Sequence, residues 1–271
     1  MLKAENALFT AAMILYFAAM LLYFVYLALK REKLGRIAVG VQIAAFVLHT
    51  AALVLRGIAA GRLPLTNQYE FAASFAWGIC LVSLLFIFRF RFRVLGAFVA
   101  PLIFLVIGYA AMQSREVKDL MPSLRSNWLI FHVSTVIVAY GAFAVSFAVS
   151  VIYLCHKKIT ANGFFASHIP EQEKLDQIGY RSVCLGLLFL TFTILTGAIW
   201  AEQAWGSYWS WDPKETWSLI TWIIYAIYLH QRLRRGMQGK GAAIYAVVGF
   251  FCVLFTYVGV NTLIPGIHSY K

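Results

Sequence analysis

The chain has 271 residues, of which 62% are hydrophobic and 13% charged, and its mean hydropathy is +0.76. A water-soluble protein needs far more charged residues to cover its surface, so this composition excludes a soluble globular fold. The net charge of +12 does not indicate a nucleic-acid partner, because fifteen of the 23 lysines and arginines fall in alternate connections between apolar stretches. The sequence predicts an all-α integral membrane protein.

Eight apolar stretches are long enough to cross a bilayer as helices, which takes about 20 residues each. The first is too long for a signal-peptide core and has no A-x-A cleavage pattern, so we expect it to be a true span. The seventh is the shortest, and its aromatic start is typical of a helix end in the membrane interface. The predicted spans are residues 7–29, 37–60, 68–88, 94–112, 128–154, 182–203, 215–230 and 242–263.

The basic residues predict the orientation of these helices. They concentrate in the connections that follow spans one, three, five and seven. The positive-inside rule then places both termini on the outer, periplasmic side. No connection is long enough to fold alone, so residues 1–271 are expected to form a single transmembrane domain. The outer face then carries the connections at 61–71 and 114–128, the tryptophan-rich segment at 200–217, and the chain end.

The tryptophans are concentrated in that segment, which includes "WGSYWSWDPKETW" at residues 205–217. Six of the eight tryptophans lie between Trp200 and Trp222. An interfacial aromatic belt, the alternative explanation, would spread them over all the helix ends. Clustered tryptophans instead build a flat aromatic surface with polar edges. Asp212 before Pro213 predicts a helix cap, with Lys214 and Glu215 in the first turn.

Two of the six histidines are expected on the outer side. His132 lies about one and a half turns, or ~8 Å, below the outer end of span five. His268 follows span eight, just beyond Pro265-Gly266. Two such imidazoles can ligate one haem iron without another protein donor. The alternative for each is a neutral imidazole that is hydrogen-bonded to a neighbouring helix.

The other four histidines are expected at different depths. His49 lies in the middle of span two, and His230 ends span seven on the inner side. An ionisable residue inside a membrane is a functional hypothesis by default. His156 and His168 lie in the inner connection beside lysines, where we expect them to be solvated.

Outer-side arginines and the cysteines complete the candidates. Arg56, Arg62 and Arg125 are suited either to carboxylates such as haem propionates or to lipid phosphates. The cysteines contain no C-x-x-C pair, so neither a disulfide framework nor a thiol relay is indicated. Any reacting thiols would therefore belong to another protein.

The segment "WGSYWSWDPKETW" closely resembles the WWD signature of the cytochrome c assembly family of haem-handling membrane proteins. Further stretches resemble the CcsA (ResC) branch of the system II cytochrome c synthase. They are "HTAALVLRGIAAGRLPLTNQYE", "FHVSTVIVAYGAF", "TWIIYAIYLHQR" and "GIHSY".

The resemblance implies roles for three histidines. His132 and His268 match the pair that brackets the signature and holds haem on the outer side. His230 matches the membrane-embedded histidine, whose axial partner in that family comes from a CcsB (ResB)-type subunit. The chain resembles unfused CcsA, so it leaves the second ligand of the inner haem unassigned, with His49 as an alternative.

The resemblance also implies a function. The chain would be the membrane subunit of a holocytochrome c synthase, active only together with a CcsB-type partner. It would move haem b outward and present it to the thiols of C-x-x-C-H apocytochromes c, which thiol-reducing partners keep reduced. The membrane would be the bacterial inner membrane, or the thylakoid for a plastid-encoded protein. The signature places six further residues at the haem, namely Trp205, Tyr208, Trp209, Trp211, Asp212 and Trp217.

Three other functions stay open at this point. One is a haem exporter or chaperone similar to CcmC, without attachment chemistry. The second is a regulator of haem synthesis related to HemX. The third is a dihaem quinol-type electron carrier, which needs two histidine pairs at staggered depths, and only His49 and His230 qualify.

Overall fold

The computed structural model describes residues 1–117, 119–161 and 163–264. The regular structure of these residues is helical, and seven of their helices are long and apolar enough to cross a membrane. This confirms the expectation of an all-α membrane protein. The elements are α1 (Leu2–Leu29), α2 (Glu32–Ala60), α3 (Gln68–Phe90), α4 (Val94–Ala111), a 3-10 turn (Pro122–Leu124), α5 (Asn127–Thr160), α6 (Gly163–Ala166), α7 (Gln172–Trp205), α8 (Pro213–Arg235), α9 (Lys240–Leu254), a π turn (Phe255–Gly259) and α10 (Val260–Leu263).

All eight predicted spans coincide with helical segments. The helices usually begin earlier or end later than the predicted spans, because polar residues extend them. Helix α8, which covers the seventh predicted span, falls outside the group of seven, because it is less apolar than they are. Its last turn carries Arg232, Arg234 and Arg235. The number of helices that cross the membrane and the side of the termini stay predictions.

The chain divides into two compact units. Unit 1 contains Met1–Val117 and Cys155–Glu171, and unit 2 contains Lys118–Leu154 and Gln172–Lys271. Helices α1 to α4 therefore belong to unit 1, and most of α5 together with α7 to α10 belongs to unit 2. The prediction of a single transmembrane domain remains a prediction.

Unit 1 is built around a seam between α1 and α2. Apart from the adjacent Ala38 and Val39, the buried residues of both helices recur at intervals of three and four, which is the spacing of helices that pack along a common line. Large side chains alternate with alanine or glycine, and small residues let helix backbones approach closely inside a membrane. The buried residues of α1 are Glu5, Phe9, Ala12, Tyr16, Ala19, Tyr23 and Tyr26. Those of α2 are Gly35, Ala38, Val39, Gln42, Ala45, His49, Ala52 and Arg56.

Tyr23 connects this seam to α4. Its hydroxyl donates to Gln42 Oε1 at 2.7 Å, so its polar end is satisfied inside the unit. Its ring lies directly on Gly96, where an added Cβ would come within 2.1 Å of the ring. Only glycine fits beneath this tyrosine.

Unit 2 has an aromatic pair at its centre. The rings of Phe143 on α5 and Tyr225 on α8 are parallel within 5°, and their centroids are 3.8 Å apart. An added Cβ at Gly186 of α7 would come within 2.5 Å of Phe143, and one at Gly249 of α9 within 2.6 Å of Tyr225. Two glycines thus sandwich two stacked rings, which ties four helices together.

The glycine beneath Tyr23 provides a test of this packing. Gly96→Ala is expected to lower the free energy of unfolding by about 1–3 kcal/mol, the usual cost of overpacking a core. Gly108→Ala is the matched control on the same helix, because an added Cβ there meets nothing within 4 Å. Thermal unfolding of the purified protein in detergent measures both variants. Equal midpoints for the two would contradict the packing described.

Candidate functional site

His132 lies in the second turn of α5 and faces α7. Its Nδ1 lies 2.8 Å from the backbone carbonyl oxygen of Thr193. Its ring is roughly parallel to that of Trp200, with the centroids 5.9 Å apart and the planes 27° apart. Gly197 lies between these two contacts along α7, and an added Cβ there would be 2.6 Å from His132 Nδ1. Three residues of one face of α7 thus surround the imidazole.

Trp200 carries the aromatic contact on to the tryptophan segment. Its Nε1 donates to the Ser123 carbonyl at 2.9 Å, which fixes the buried indole. Its ring meets that of Trp205 edge-on, with centroids 4.8 Å apart and planes at 63°. The structure therefore brings His132 and Trp205 into one run of contacting rings, although the two are 73 positions apart in the sequence.

The segment itself is shorter than its tryptophans suggest. Helix α7 continues to Trp205 and α8 begins at Pro213, so only residues 206–212 are irregular. Two of its aromatic side chains are largely exposed, Tyr208 at 60% and Trp211 at 67%. The rings of Trp209 and Trp211 are perpendicular, with centroids 5.7 Å apart. This short stretch presents the exposed part of the aromatic surface.

Trp211 adopts an unusual backbone conformation. Its φ is 59°, in the left-handed region that a bulky residue rarely occupies, at a cost of about 1–3 kcal/mol. Glu215 holds both neighbours in place, because its Oε2 accepts from the backbone amides of Ser210 at 2.9 Å and Asp212 at 3.1 Å. The hydroxyl of Thr216 donates to the Trp211 carbonyl at 3.2 Å. The first turn of α8 thus sets the backbone that exposes this indole.

Asp212 caps α8, as the sequence predicts. Its Oδ1 accepts from the Lys214 amide at 3.0 Å, and Glu215 completes a capping box. Asp212 is buried and its carboxylate serves the helix start. Asp212 therefore contributes to the aromatic surface by fixing the start of α8 directly after Trp211.

Two other tryptophans of the cluster make contacts between helical elements. The ring of Trp217 packs on Phe255, the first residue of the π turn, with centroids 4.3 Å apart. The indole N–H of Trp222 donates to Thr191 Oγ1 on α7 at 2.8 Å. The cluster therefore contains both structural and exposed tryptophans.

His230 lies away from this surface. It is exposed on α8, 13 residues after Trp217, which corresponds to ~20 Å along a helix. The guanidinium of nearby Arg232 forms an ion pair with the Asp176 carboxylate, with an N–O distance of 2.5 Å. His230 therefore lies on unit 2 at a position separate from the aromatic surface. His268, the predicted partner of His132, lies outside the described residues.

His49 lies in unit 1, buried in the seam between α1 and α2. Its Nδ1 is 3.4 Å from the Tyr16 hydroxyl, and Phe9 and Tyr16 pack against its ring. Haem would reach this imidazole only if the seam opened. The closed packing therefore weighs against His49 as an alternative haem ligand, and with it against the dihaem electron carrier.

The structure corrects the expectation for Arg56. We expected its guanidinium to be offered to propionates or lipid phosphates, but it is only 1% exposed. Its Nε donates to Glu70 at 3.0 Å, and its two terminal nitrogens donate to the carbonyls of Arg115 and Glu116 at 2.6 and 3.2 Å. A buried cation needs such partners, and here they fix the connection after α4 onto unit 1.

Glu70, which accepts from Arg56, is a residue that the sequence analysis missed. Its carboxylate also accepts from Arg62 at 2.9 Å and from the Thr66 amide and hydroxyl. The signal was present, because Asn67 three positions earlier makes a capping pattern, and its side chain accepts from the Glu70 amide at 2.8 Å. This ion-pair group closes the connection between α2 and α3.

Arg125, by contrast, remains exposed. It follows the 3-10 turn whose Ser123 carbonyl receives the Trp200 indole. The next residue, Ser126, donates to Gln203 Oε1 at 2.9 Å near the end of α7. This places a cation in the connection that packs against the aromatic run.

The inner-connection histidines are also corrected, because both are half-buried rather than solvated. His156 Nε2 lies 3.3 Å from the Pro170 carbonyl. His168 Nε2 lies 3.0 Å from Glu32 Oε1, and its ring stacks on Phe164 with centroids 4.3 Å apart. Partners within unit 1 shield both rings from solvent.

Residues 65–268 match the sequence model of a family described as cytochrome C assembly protein. The chain belongs to this family. Similar relatives are described as cytochrome c biogenesis protein CcsA, which places the chain in the CcsA group. That of Prochlorococcus marinus is 38% identical over 83% of this chain and 80% of the relative. That of Chlamydomonas reinhardtii is 40% identical over 89% of this chain and 69% of the relative.

A solved structure described as cytochrome c heme lyase CcmF has a similar fold, with a TM-score of 0.73. The similarity covers 95% of this chain at 17% sequence identity, which supports a shared fold alone. This chain spans about half of that one, 46% of its length. Family membership and the helical fold together make this chain a cytochrome c biogenesis membrane protein.

The role of Glu215 can be tested spectroscopically. Glu215→Ala removes the acceptor for two backbone amides, so we expect Trp211 to leave its left-handed conformation. Fluorine NMR of fluorotryptophan-labelled protein, with the Trp211 signal assigned by Trp211→Phe, measures this as a shift of that signal. Glu215→Gln keeps a carbonyl acceptor and is expected to leave the signal in place, as is the control Asn67→Ala, which removes a helix cap in unit 1. An unmoved Trp211 signal in Glu215→Ala would refute this role.

Proposed function

We propose that this chain is the membrane subunit of a holocytochrome c synthase. It moves haem b to the outer face of the membrane and holds it there for attachment to C-x-x-C-H apocytochromes c. The observation that carries the proposal is the run of contacting rings from His132 through Trp200 to Trp205. It brings a candidate iron ligand to Trp205, which directly precedes the exposed aromatic residues of the kind that suit a flat macrocycle.

In the outer site, His132 and His268 would ligate the haem iron. The exposed aromatic side chains of residues 206–212 support the macrocycle, and burial of apolar area contributes about 25 cal/mol per Å². Arg125 meets a propionate, for which a guanidinium is a suitable partner. The ligands, the aromatic surface and the cation thus hold different parts of one haem.

Attachment requires that the haem vinyl groups and reduced thiols meet in the right orientation. Each apocytochrome cysteine adds its S–H across a vinyl double bond, so a C–S bond forms and the hydrogen goes to the other vinyl carbon. The addition involves no net oxidation. Holding both reactants in place supplies much of the rate. Thiol-reducing partners keep the apocytochrome cysteines available.

In the inner site, His230 is one ligand of a haem that arrives from the inner side. Its exposed position on α8 supports a second ligand from another protein, which we propose is a CcsB (ResB)-type subunit. Activity therefore depends on that partner. The membrane is the bacterial inner membrane, with the active face outward, or the thylakoid membrane for a plastid-encoded protein.

The outer ligand is tested by His132→Ala. Without the imidazole the iron loses an axial ligand, so we expect cytochrome maturation to fall at least tenfold. Added imidazole is expected to restore part of it by occupying the vacated position. The measurement is covalently attached haem per amount of this protein in the membrane, with His156→Ala as the control. Normal maturation by His132→Ala would exclude this assignment.

The aromatic surface is tested by paired substitutions at Trp209 and Trp211. Phenylalanine keeps an aromatic face, so both Phe variants are expected to retain most of the activity. Alanine removes the stacking surface and is expected to abolish most of the activity. Matured cytochrome divided by membrane-bound protein is compared for all four variants. An unchanged ratio in both Ala variants would favour an interfacial belt over a haem surface.

A further inference from the structure

The side of His132 that faces α7 is determined by the backbone of α7. A carbonyl oxygen can only accept a hydrogen bond, so the 2.8 Å contact with Thr193 requires the proton of His132 to lie on Nδ1. In a neutral imidazole the other nitrogen then carries the lone pair. Nε2 is therefore the nitrogen that this arrangement prepares for a metal.

This contact exists because α7 has no side chain at Gly197. The imidazole lies against the helix backbone, and an added Cβ would be 2.6 Å from Nδ1 and 2.7 Å from Cε1. Both distances are far below van der Waals contact, so even a methyl group would displace the ring. The displaced ring would also lose the Thr193 carbonyl, because both contacts involve Nδ1.

The ring has little freedom to move elsewhere. Trp200 lies beside it at a centroid distance of 5.9 Å, and the Ser123 carbonyl fixes the Trp200 indole. The side chain of Thr193 is itself bonded to Thr135 Oγ1 at 3.0 Å, which ties α7 to the next turn of α5. The imidazole is thus held on one side by a carbonyl, on another by an indole, and beneath by a glycine.

We propose that Gly197 is a positioning residue for haem ligation. Together with the Thr193 carbonyl it holds His132 in the tautomer and orientation in which Nε2 binds iron. Metal-ligating histidines commonly donate their second N–H to a carbonyl, and this partner fixes the ring and raises its basicity. The inference rests on the proposed role of His132 as a haem ligand.

The test is Gly197→Ala in the full complex with the partner subunit. Attached haem per membrane-bound protein is expected to fall at least tenfold, close to the level of His132→Ala, and added imidazole is expected to restore part of it. The double variant His132→Ala with Gly197→Ala is expected to be no worse than His132→Ala alone. Gly179→Ala is the matched control on the same helix, since an added Cβ there meets only Val149 at an ordinary 3.8 Å.

The outcomes separate this inference from the function on which it rests. Normal maturation by His132→Ala would remove the proposed function itself. A defect in His132→Ala with normal maturation by Gly197→Ala would overturn only the positioning role. The same holds if Gly197→Ala lowers the amount of protein while the attached haem per molecule stays constant.

A second measurement needs no glycine variant. Nitrogen NMR of the haem-free protein with labelled histidine distinguishes the two neutral tautomers, and His132→Gln assigns the signal. We expect the proton on Nδ1 of His132. A proton on Nε2 would overturn the inference whatever the maturation assay gives.

Discussion

Both units depend on aromatic rings that lie directly on a helix backbone at glycine. Inside a bilayer the hydrophobic effect does not drive helices together, so packing and hydrogen bonds must do so, and missing side chains permit the closest approach. Each of these contacts leaves no room for a Cβ. The pairs are Tyr23 on Gly96, Phe143 on Gly186, Tyr225 on Gly249 and His132 on Gly197. The candidate ligand is therefore held by the same means that hold the core.

Buried polar groups follow a related constraint, because burial removes the water that would otherwise satisfy them. Arg56 and Glu70 are both buried, and each is surrounded by partners from connections that the sequence leaves apart. Arg125 stays exposed beside the 3-10 turn, where a ligand can reach it. The two arginines look alike in the sequence, yet only one is a credible partner for a propionate. They differ in burial, because Arg56 is enclosed by its hydrogen-bond partners whereas Arg125 is exposed.

Local patterns explain what the sequence could predict. The spans follow from apolar runs, and the Asp212 cap follows from the residues beside it, so both needed no knowledge of the fold. The contact of His132 with Gly197 joins residues 65 positions apart. It depends on how α5 meets α7, which hydropathy does not encode. The packing of α1 on α2 is likewise a property of the fold, because the partner of each ring lies on another helix.

The tryptophan segment depends both on local sequence patterns and on contacts made by the fold. Its irregular part is only residues 206–212, and the helices on either side belong to the packed unit. The indole of Trp200, near the end of α7, donates to the Ser123 carbonyl, and that of Trp222 on α8 donates to Thr191 on α7. These hydrogen bonds help to fix the two helices that the segment connects. A short connection between fixed ends has few conformations, and Glu215 selects the one in which Trp211 is exposed in a left-handed conformation. A backbone held in this way has little further conformational entropy to lose when a flat ligand covers the indole, which is the advantage of a preorganised surface.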